Sequence, residues 1–130
     1  MQKLSLIAGL GAVAAGLALI GCSQGGGAAP LVAGEAVLKA SEWKFAPGAF
    51  RVEAGKPIKL VLQNDGKTDH DVKLTGLVVA GKEVQVAARP GEKASIEFTP
   101  AQAGVYEMTC TLPGHRESGM VGKVEVVAGS

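Results

Sequence analysis

Alternation of apolar and other residues with a period of two is the feature of this sequence that most limits its fold. In one run Ile58, Leu60 and Leu62 alternate with their neighbours, and Val124 and Val126 do so near the end of the chain. Such alternation is typical of half-buried β-strands, and no stretch has a convincing helical period of 3.6 residues. The sequence therefore predicts an all-β domain.

Turn signals rich in Gly, Pro, Asn and Asp separate the alternating runs, as at Pro47-Gly48 and Asn64-Asp65-Gly66. They leave about eight short strands, which favours an antiparallel sandwich or a small barrel. The predicted strands are Val37–Lys39, Ala49–Glu53, Pro57–Leu62, Asp71–Val79, Glu83–Ala88, Ala94–Phe98, Val105–Cys110 and a last one around Val124–Val126.

The first residues have the layout of an export signal. One positive charge at Lys3 is followed by an uncharged run from Leu4 to Gly21. The end of that run, Leu19-Ile20-Gly21-Cys22, resembles the bacterial lipobox, in which the signal is cleaved before a Cys that then receives lipid. We predict a lipoprotein signal peptide at residues 1–21 and lipidation of Cys22. An uncleaved membrane-spanning anchor is the alternative, since the run is long enough to cross a bilayer.

Residues 22–34 follow the signal, are rich in Gly and Ala, and contain no charged residue. This composition predicts a flexible linker after the lipidated Cys. Residues 35–130 then form one small domain, which is too short to divide into two. The expected location is outside the cytoplasm, lipid-anchored at the cell membrane and facing the periplasm or the exterior.

Charge gives little indication of a partner. The chain has 13 Lys and Arg against 12 Asp and Glu, a net charge of +1. A basic surface for nucleic acid is therefore not expected, and no aromatic stacking pattern accompanies the basic residues.

One cysteine, one histidine and one methionine lie close together near the end of the chain, in TCTLPGHRESGM, although the sequence has only two cysteines, two histidines and three methionines. Cleavage before Cys22 leaves Cys110 as the one thiol of the domain, which excludes an internal disulfide there. An exported free thiol is prone to oxidation unless it is buried or bound. Cys110 lies at a predicted strand end, His115 in a short loop and Met120 at the start of the last strand, so the three side chains can surround one point.

The second histidine, His70, follows a turn and opens a predicted strand. Two imidazoles, one thiolate and a weak axial thioether are the ligand set of blue copper sites. Zinc is less suitable because Met is a poor zinc ligand. Taken one at a time, each of these residues could instead be a core or surface residue; taken together, they favour copper.

The spacing Cys110-x4-His115-x4-Met120, with His70 upstream, resembles the cupredoxins, the small blue copper proteins, and most of all the auracyanin and rusticyanin type. The resemblance covers roughly residues 35–127 and includes the Pro113-Gly114-His115 turn. It implies a Greek-key β-sandwich or barrel and one type 1 copper ion bound by His70, Cys110, His115 and Met120.

The resemblance also implies a contact beyond the ligands. Many cupredoxins have Asn or Ser after the upstream His, where it ties the two ligand loops together. Here the residue is Asp71, expected to face Thr111. A negative charge at this position favours Cu(II) and lowers the reduction potential. The resemblance further predicts that His115 is the electron port and that residues 112–114 belong to an apolar docking patch.

These features predict a membrane-tethered one-electron carrier and not an enzyme, because every ligand is committed to one metal. Its partners would be a donor and an acceptor redox protein, and a monomer is expected for a carrier that must dock and leave. The alternative is a protein that sequesters copper or delivers it to an oxidase. A metal-free adhesion or scaffold sandwich is a third possibility, which would require the ligand pattern to be accidental.

Overall fold

The structure is a computed structural model, and it describes residues 27–130. Over these residues the chain forms nine β-strands and no helix. The strands are β1 (Gly34–Ser41), β2 (Lys44–Ala46), β3 (Ala49–Glu53), β4 (Ile58–Asn64), β5 (His70–Val79), β6 (Lys82–Ala88), β7 (Lys93–Phe98), β8 (Gly104–Thr109) and β9 (Val121–Val127).

The strands form two sheets, one with the order β2-β1-β4-β7 and the other with the order β3-β9-β8-β5-β6. The all-β prediction is confirmed, with one strand, β2, that the sequence pattern did not reveal because it is only three residues long. Two neighbouring pairs, β1 with β4 and β3 with β9, run parallel, whereas antiparallel pairing was predicted. Turn signals indicate where strands end but do not specify which strands become neighbours within a sheet.

The core lies between the sheets and follows the predicted alternation. In β4, Ile58, Leu60 and Leu62 are buried, and in β9, Val124 and Val126 are buried. Side chains from both sheets fill one continuous apolar cluster, as expected for a sandwich. The largest fully buried apolar residues are Phe50, Leu38, Leu60, Leu62, Leu74, Met108, Met120, Val52, Val72, Val124 and Val126.

The N-terminal segment joins this body earlier than Glu35. Arg51 in β3 donates its backbone N–H to the Pro30 carbonyl and its Nε–H to the Ala29 carbonyl, at 2.8 and 2.7 Å, and its own carbonyl accepts from Val32 N–H at 2.8 Å. Residues 29–32 of the predicted linker thus extend the sheet edge. The predicted signal peptide and Cys22 lie outside the described residues and stay predictions. Between residues 27 and 130, no helix is long and apolar enough to cross a membrane.

Three strand ends meet at one end of the sandwich. β8 lies between β5 and β9 and is antiparallel to both. The last residues of β8 are therefore beside the first residues of β5 and of β9. The first residue of β5 is His70, and the loop from β8 to β9 contains Cys110, His115 and Met120.

Leu62 tests the contribution of the core. It is fully buried and lies opposite Leu38 on one neighbouring strand and Ala94 on the other. We expect Leu62→Ala to lower the free energy of unfolding of the copper-free protein by about 2–5 kcal/mol, through lost burial and a residual cavity. Urea denaturation followed by circular dichroism measures this. Val105→Thr, at a position 66% exposed, is the control and is expected to change stability by less than about 0.5 kcal/mol.

Candidate metal centre

Three of the predicted ligands come together at the strand ends described above. The ligand atoms of His70, Cys110 and His115 all lie within 4.8 Å of one another. Cys110 Sγ is 3.3 Å from His115 Nδ1, and the two imidazole rings are 5.1 Å apart between centroids. His70 is fully buried, whereas His115 is partly exposed. The loop histidine therefore connects this centre to the surface.

One atom of this cluster has no protein partner. Nδ1 of His70 is buried and forms no hydrogen bond, while Nε2 of the same ring is 3.2 Å from Glu42 Oε1. Leaving a buried polar atom unpaired costs roughly 1–3 kcal/mol. A metal ion bound at Nδ1 removes that cost. The orphaned nitrogen therefore supports a metal site at this position.

Met120 is held at the same end by the backbone of the ligand loop. Its carbonyl accepts from Cys110 N–H at 3.2 Å, and its N–H donates to the His115 carbonyl at 3.1 Å. Its side chain is fully buried. Two tight turns in the loop require glycine, since Gly114 and Gly119 have φ of +80° and +113°. The loop thus holds three predicted ligands at a fixed spacing.

Burial changes the acidity of the thiol. Removal from water raises the pKa of Cys110 above its usual value, although backbone N–H groups of Asp71 and Leu112 act in the opposite direction. The negative charge of Asp71 raises it further. A copper ion must therefore displace the thiol proton, and the metal-free form holds a protonated, unreactive thiol.

Asp71 and Thr111 are in contact, as the resemblance implied. Asp71 Oδ1 accepts from Thr111 N–H at 2.6 Å, and Oδ2 accepts from the Thr111 hydroxyl and from Gln85 Nε2, the latter at 2.7 Å. Burial would raise the pKa of Asp71, but these hydrogen bonds outweigh it and lower the pKa. The carboxylate is thus ionised beside Cys110 and links β5 to the ligand loop.

Sequence reasoning missed three residues around the centre. Gln85 in β6 completes the Asp71 contact, and Glu42 and Trp43 in the β1–β2 turn approach the two histidines. The Trp43 ring packs edge-on against His115, with centroids 4.7 Å apart, and is 6.2 Å from the His70 ring. No local pattern indicates these residues, because Glu42 is 28 positions from His70.

A family model described as a cupredoxin-like domain matches residues 11–124 of this chain. The chain belongs to the cupredoxin-like family. With a thiolate, two imidazoles, a thioether and the orphaned Nδ1, this cupredoxin has the donor set for a single copper ion. The predicted family and cofactor are confirmed.

Two curated relatives of this cupredoxin share a name, "Copper-resistant cuproprotein CopI". The protein from Rubrivivax gelatinosus is 29% identical over 105 aligned residues, which cover 69% of this chain and 64% of the relative. The protein from Pseudomonas aeruginosa PAO1 is 25% identical over 126 aligned residues, which cover 63% of this chain and 70% of the relative. The cupredoxin described here thus spans slightly less than two thirds of the first relative's length.

Solved structures similar to this cupredoxin include two auracyanins. The reduced auracyanin of Roseiflexus castenholzii superposes with a TM-score of 0.63 at 18% identity, covering 75% of this chain and 96% of the other. Auracyanin A of Chloroflexus aurantiacus superposes with a TM-score of 0.61 at 21% identity, covering 75% of this chain and 99% of the other. These likenesses confirm the predicted fold class.

Cys110→Ser tests the thiolate ligand of this cupredoxin. The wild-type protein mixed with Cu(II) is expected to develop an intense blue or green absorption band, because a thiolate bound to Cu(II) transfers charge to the metal. The variant is expected to lose this band while keeping the circular dichroism of the folded protein. A band of unchanged intensity in the variant would contradict a Cys110 ligand.

Asp71→Asn tests the charge beside the thiolate. Removing the charge disfavours Cu(II), so we expect the reduction potential to rise by about 59 mV for each tenfold loss of Cu(II) affinity relative to Cu(I). Protein-film voltammetry measures the shift. Asp69→Asn is the matched control, since Asp69 is also next to His70 but is exposed, and solvent screens its charge. An equal shift in both variants, or a lower potential in Asp71→Asn, would contradict the prediction.

Proposed function

We propose that this cupredoxin is a membrane-tethered one-electron carrier. The observation that carries the proposal is that the ligand atoms of His70, Cys110 and His115 lie within 4.8 Å of one another. These residues lie at the ends of strands that pair within one sheet, which limits how far the ligands can move. A site that keeps one geometry in both oxidation states needs little rearrangement when an electron arrives or leaves.

Bound copper would supply a Cu(II)/Cu(I) couple, which takes one electron from a donor and passes one to an acceptor. The protein residues would keep the ligand geometry fixed and exclude water. His70, Cys110 and Met120 are almost completely buried, and the Asp71–Thr111 contact holds the start of the ligand loop against β5.

His115 is proposed as the electron port. It is partly exposed, while exposed Pro113 and half-buried Leu112 lie beside it in the loop. Trp43, 41% exposed, packs against the same ring and adds an indole to this apolar surface. A redox protein docked here would come close to a ligand of the metal, which favours fast transfer.

The remaining parts of the proposal are supported by sequence. The signal-like residues 1–21 and the lipobox-like Cys22 support export and a lipid anchor at the cell membrane, facing the periplasm or exterior. Donor and acceptor would be redox proteins, and the carrier would act as a monomer. No enzymatic activity is proposed, because the four candidate ligand residues are all assigned to one metal ion.

Copper sequestration or delivery is the second candidate, and one observation favours it. The two curated relatives are named as copper-resistant cuproproteins. In a protein of that kind the same centre would hold the ion as cargo, and reduction or contact with an acceptor would release it. The two functions therefore differ in whether copper stays bound through a redox cycle.

Repeated redox cycling separates the two functions. The copper-loaded protein is reduced with ascorbate and reoxidised with ferricyanide, with excess bathocuproine disulfonate present to capture any Cu(I) that is released. For a carrier we expect the thiolate band to return after each cycle, and NMR line broadening in mixtures of both oxidation states to report fast self-exchange. The fluorescence of Trp43, the one tryptophan of the sequence, is expected to report copper occupancy because its ring packs against His115.

Transfer of copper to the chelator at the first reduction, with the protein still folded, would contradict the carrier and favour delivery. Retained copper with slow self-exchange would also count against the carrier and favour sequestration. Cys110→Ser treated in the same way shows how much copper binds outside the thiolate centre.

A further inference from the structure

The turn between β1 and β2 brings a carboxylate to the buried histidine of the copper centre. Glu42 Oε1 is 3.2 Å from His70 Nε2, on the ring edge opposite the unpartnered Nδ1. The turn joins two strands of the four-stranded sheet, whereas His70 begins β5 of the five-stranded sheet, so tertiary folding alone creates this contact.

The carboxylate oxygen is fixed by donors that do not belong to the centre. Oε1 accepts the backbone N–H groups of Lys67 and Thr68 at 2.8 and 3.0 Å, and the Thr68 hydroxyl at 3.1 Å. These three donors hold the carboxylate oxygen in place, and they favour the ionised form of Glu42 because a charged carboxylate is the stronger hydrogen-bond acceptor.

An ionised carboxylate can only accept a hydrogen bond. The Nε2 atom of His70 must then carry a proton and donate it to Glu42, which leaves the Nδ1 lone pair free to bind a metal. A carboxylate that accepts from the second nitrogen of a metal-bound histidine also fixes the ring orientation and makes the ligand more basic.

Space for the carboxylate depends on Gly66. A Cβ atom at this position would lie 2.5 Å from Glu42 Oε1 and 2.9 Å from both Cδ and Oε2. A larger residue at position 66 would therefore displace the Glu42 carboxylate, because the atoms it would meet are all side-chain atoms of Glu42. The loop before β5 is thus shaped around the Glu42 side chain.

We propose that Glu42 is a positioning residue of the copper centre, which selects the metal-binding tautomer of His70 and stabilises Cu(II) over Cu(I) through that ring. This inference rests on the copper centre and not on the carrier role, so either can fail while the other stands. Glu42 would act alongside Asp71, but on the buried histidine and not on the thiolate.

Glu42→Gln is the main test, because the amide oxygen can still accept from Lys67 and Thr68 while the charge is removed. We expect Cu(II) affinity to fall by at least about tenfold, with a smaller change for Cu(I). Each tenfold difference corresponds to a rise of about 59 mV in the reduction potential. Competition titrations with chelators for each ion, and voltammetry, measure these quantities. Glu117→Gln, an exposed residue of the ligand loop, is the charge-matched control.

Gly66→Ala is the second test, since it displaces the carboxylate without removing its charge. We expect it to lower Cu(II) affinity in the same direction. In the copper-free protein, ¹⁵N NMR of the histidine side chains is expected to show His70 as the Nε2–H tautomer in wild type and to show a mixture of tautomers in Glu42→Ala.

Affinity and potential in Glu42→Gln that match wild type, or that shift no more than in Glu117→Gln, would overturn the inference. So would an unchanged tautomer in folded Glu42→Ala. A loss of stability in the copper-free variants with normal copper properties would leave Glu42 as a residue that only fastens the loop at residues 66–68.

Discussion

Backbone hydrogen bonds between β8 and its neighbours β5 and β9 decide where the ligands of copper lie. β8 pairs Thr109 with Lys73 on one side and with Val121 on the other. A shift of one residue in either pairing would turn inward-facing side chains outward, and the burial of Met108 and Cys110 strongly opposes such a shift. The register that packs the core is thus the same register that assembles the centre.

The centre is buried and yet has negatively charged groups around it, although burial disfavours the charged form of an acidic group. Burial in the sandwich favours neutral forms, as the raised pKa of Cys110 indicates. Asp71 and Glu42 nevertheless remain ionised because backbone N–H groups and hydroxyls are directed at them. Asp71 lies beside Cys110 and Glu42 lies beside the Nε2 atom of His70, so two charged carboxylates adjoin the candidate ligands. Their negative charge favours a cation at this centre.

Much of this arrangement could be predicted from the sequence, because it depends on local patterns. Period-two alternation indicates most strands, and the Cys110–His115–Met120 spacing within one loop indicates a copper centre. The short β2 strand, the parallel pairs and the contacts of Glu42 and Trp43 could not be predicted. They depend on how the two sheets pack, and residues 28 positions apart leave no local signal of their contact. Asp71 was noticed only because it follows His70 directly.

The bonds between Arg51 and residues 29–32 have a mechanical consequence. If the chain is held at its N-terminus, a pull on the tether loads the hydrogen bonds of Ala29, Pro30 and Val32 to Arg51 first. β3 contributes none of the copper ligands. Such a force would pass through the edge strand β3 into β9, which begins directly after Met120, so the attachment of the N-terminal segment lies one strand away from the ligand loop.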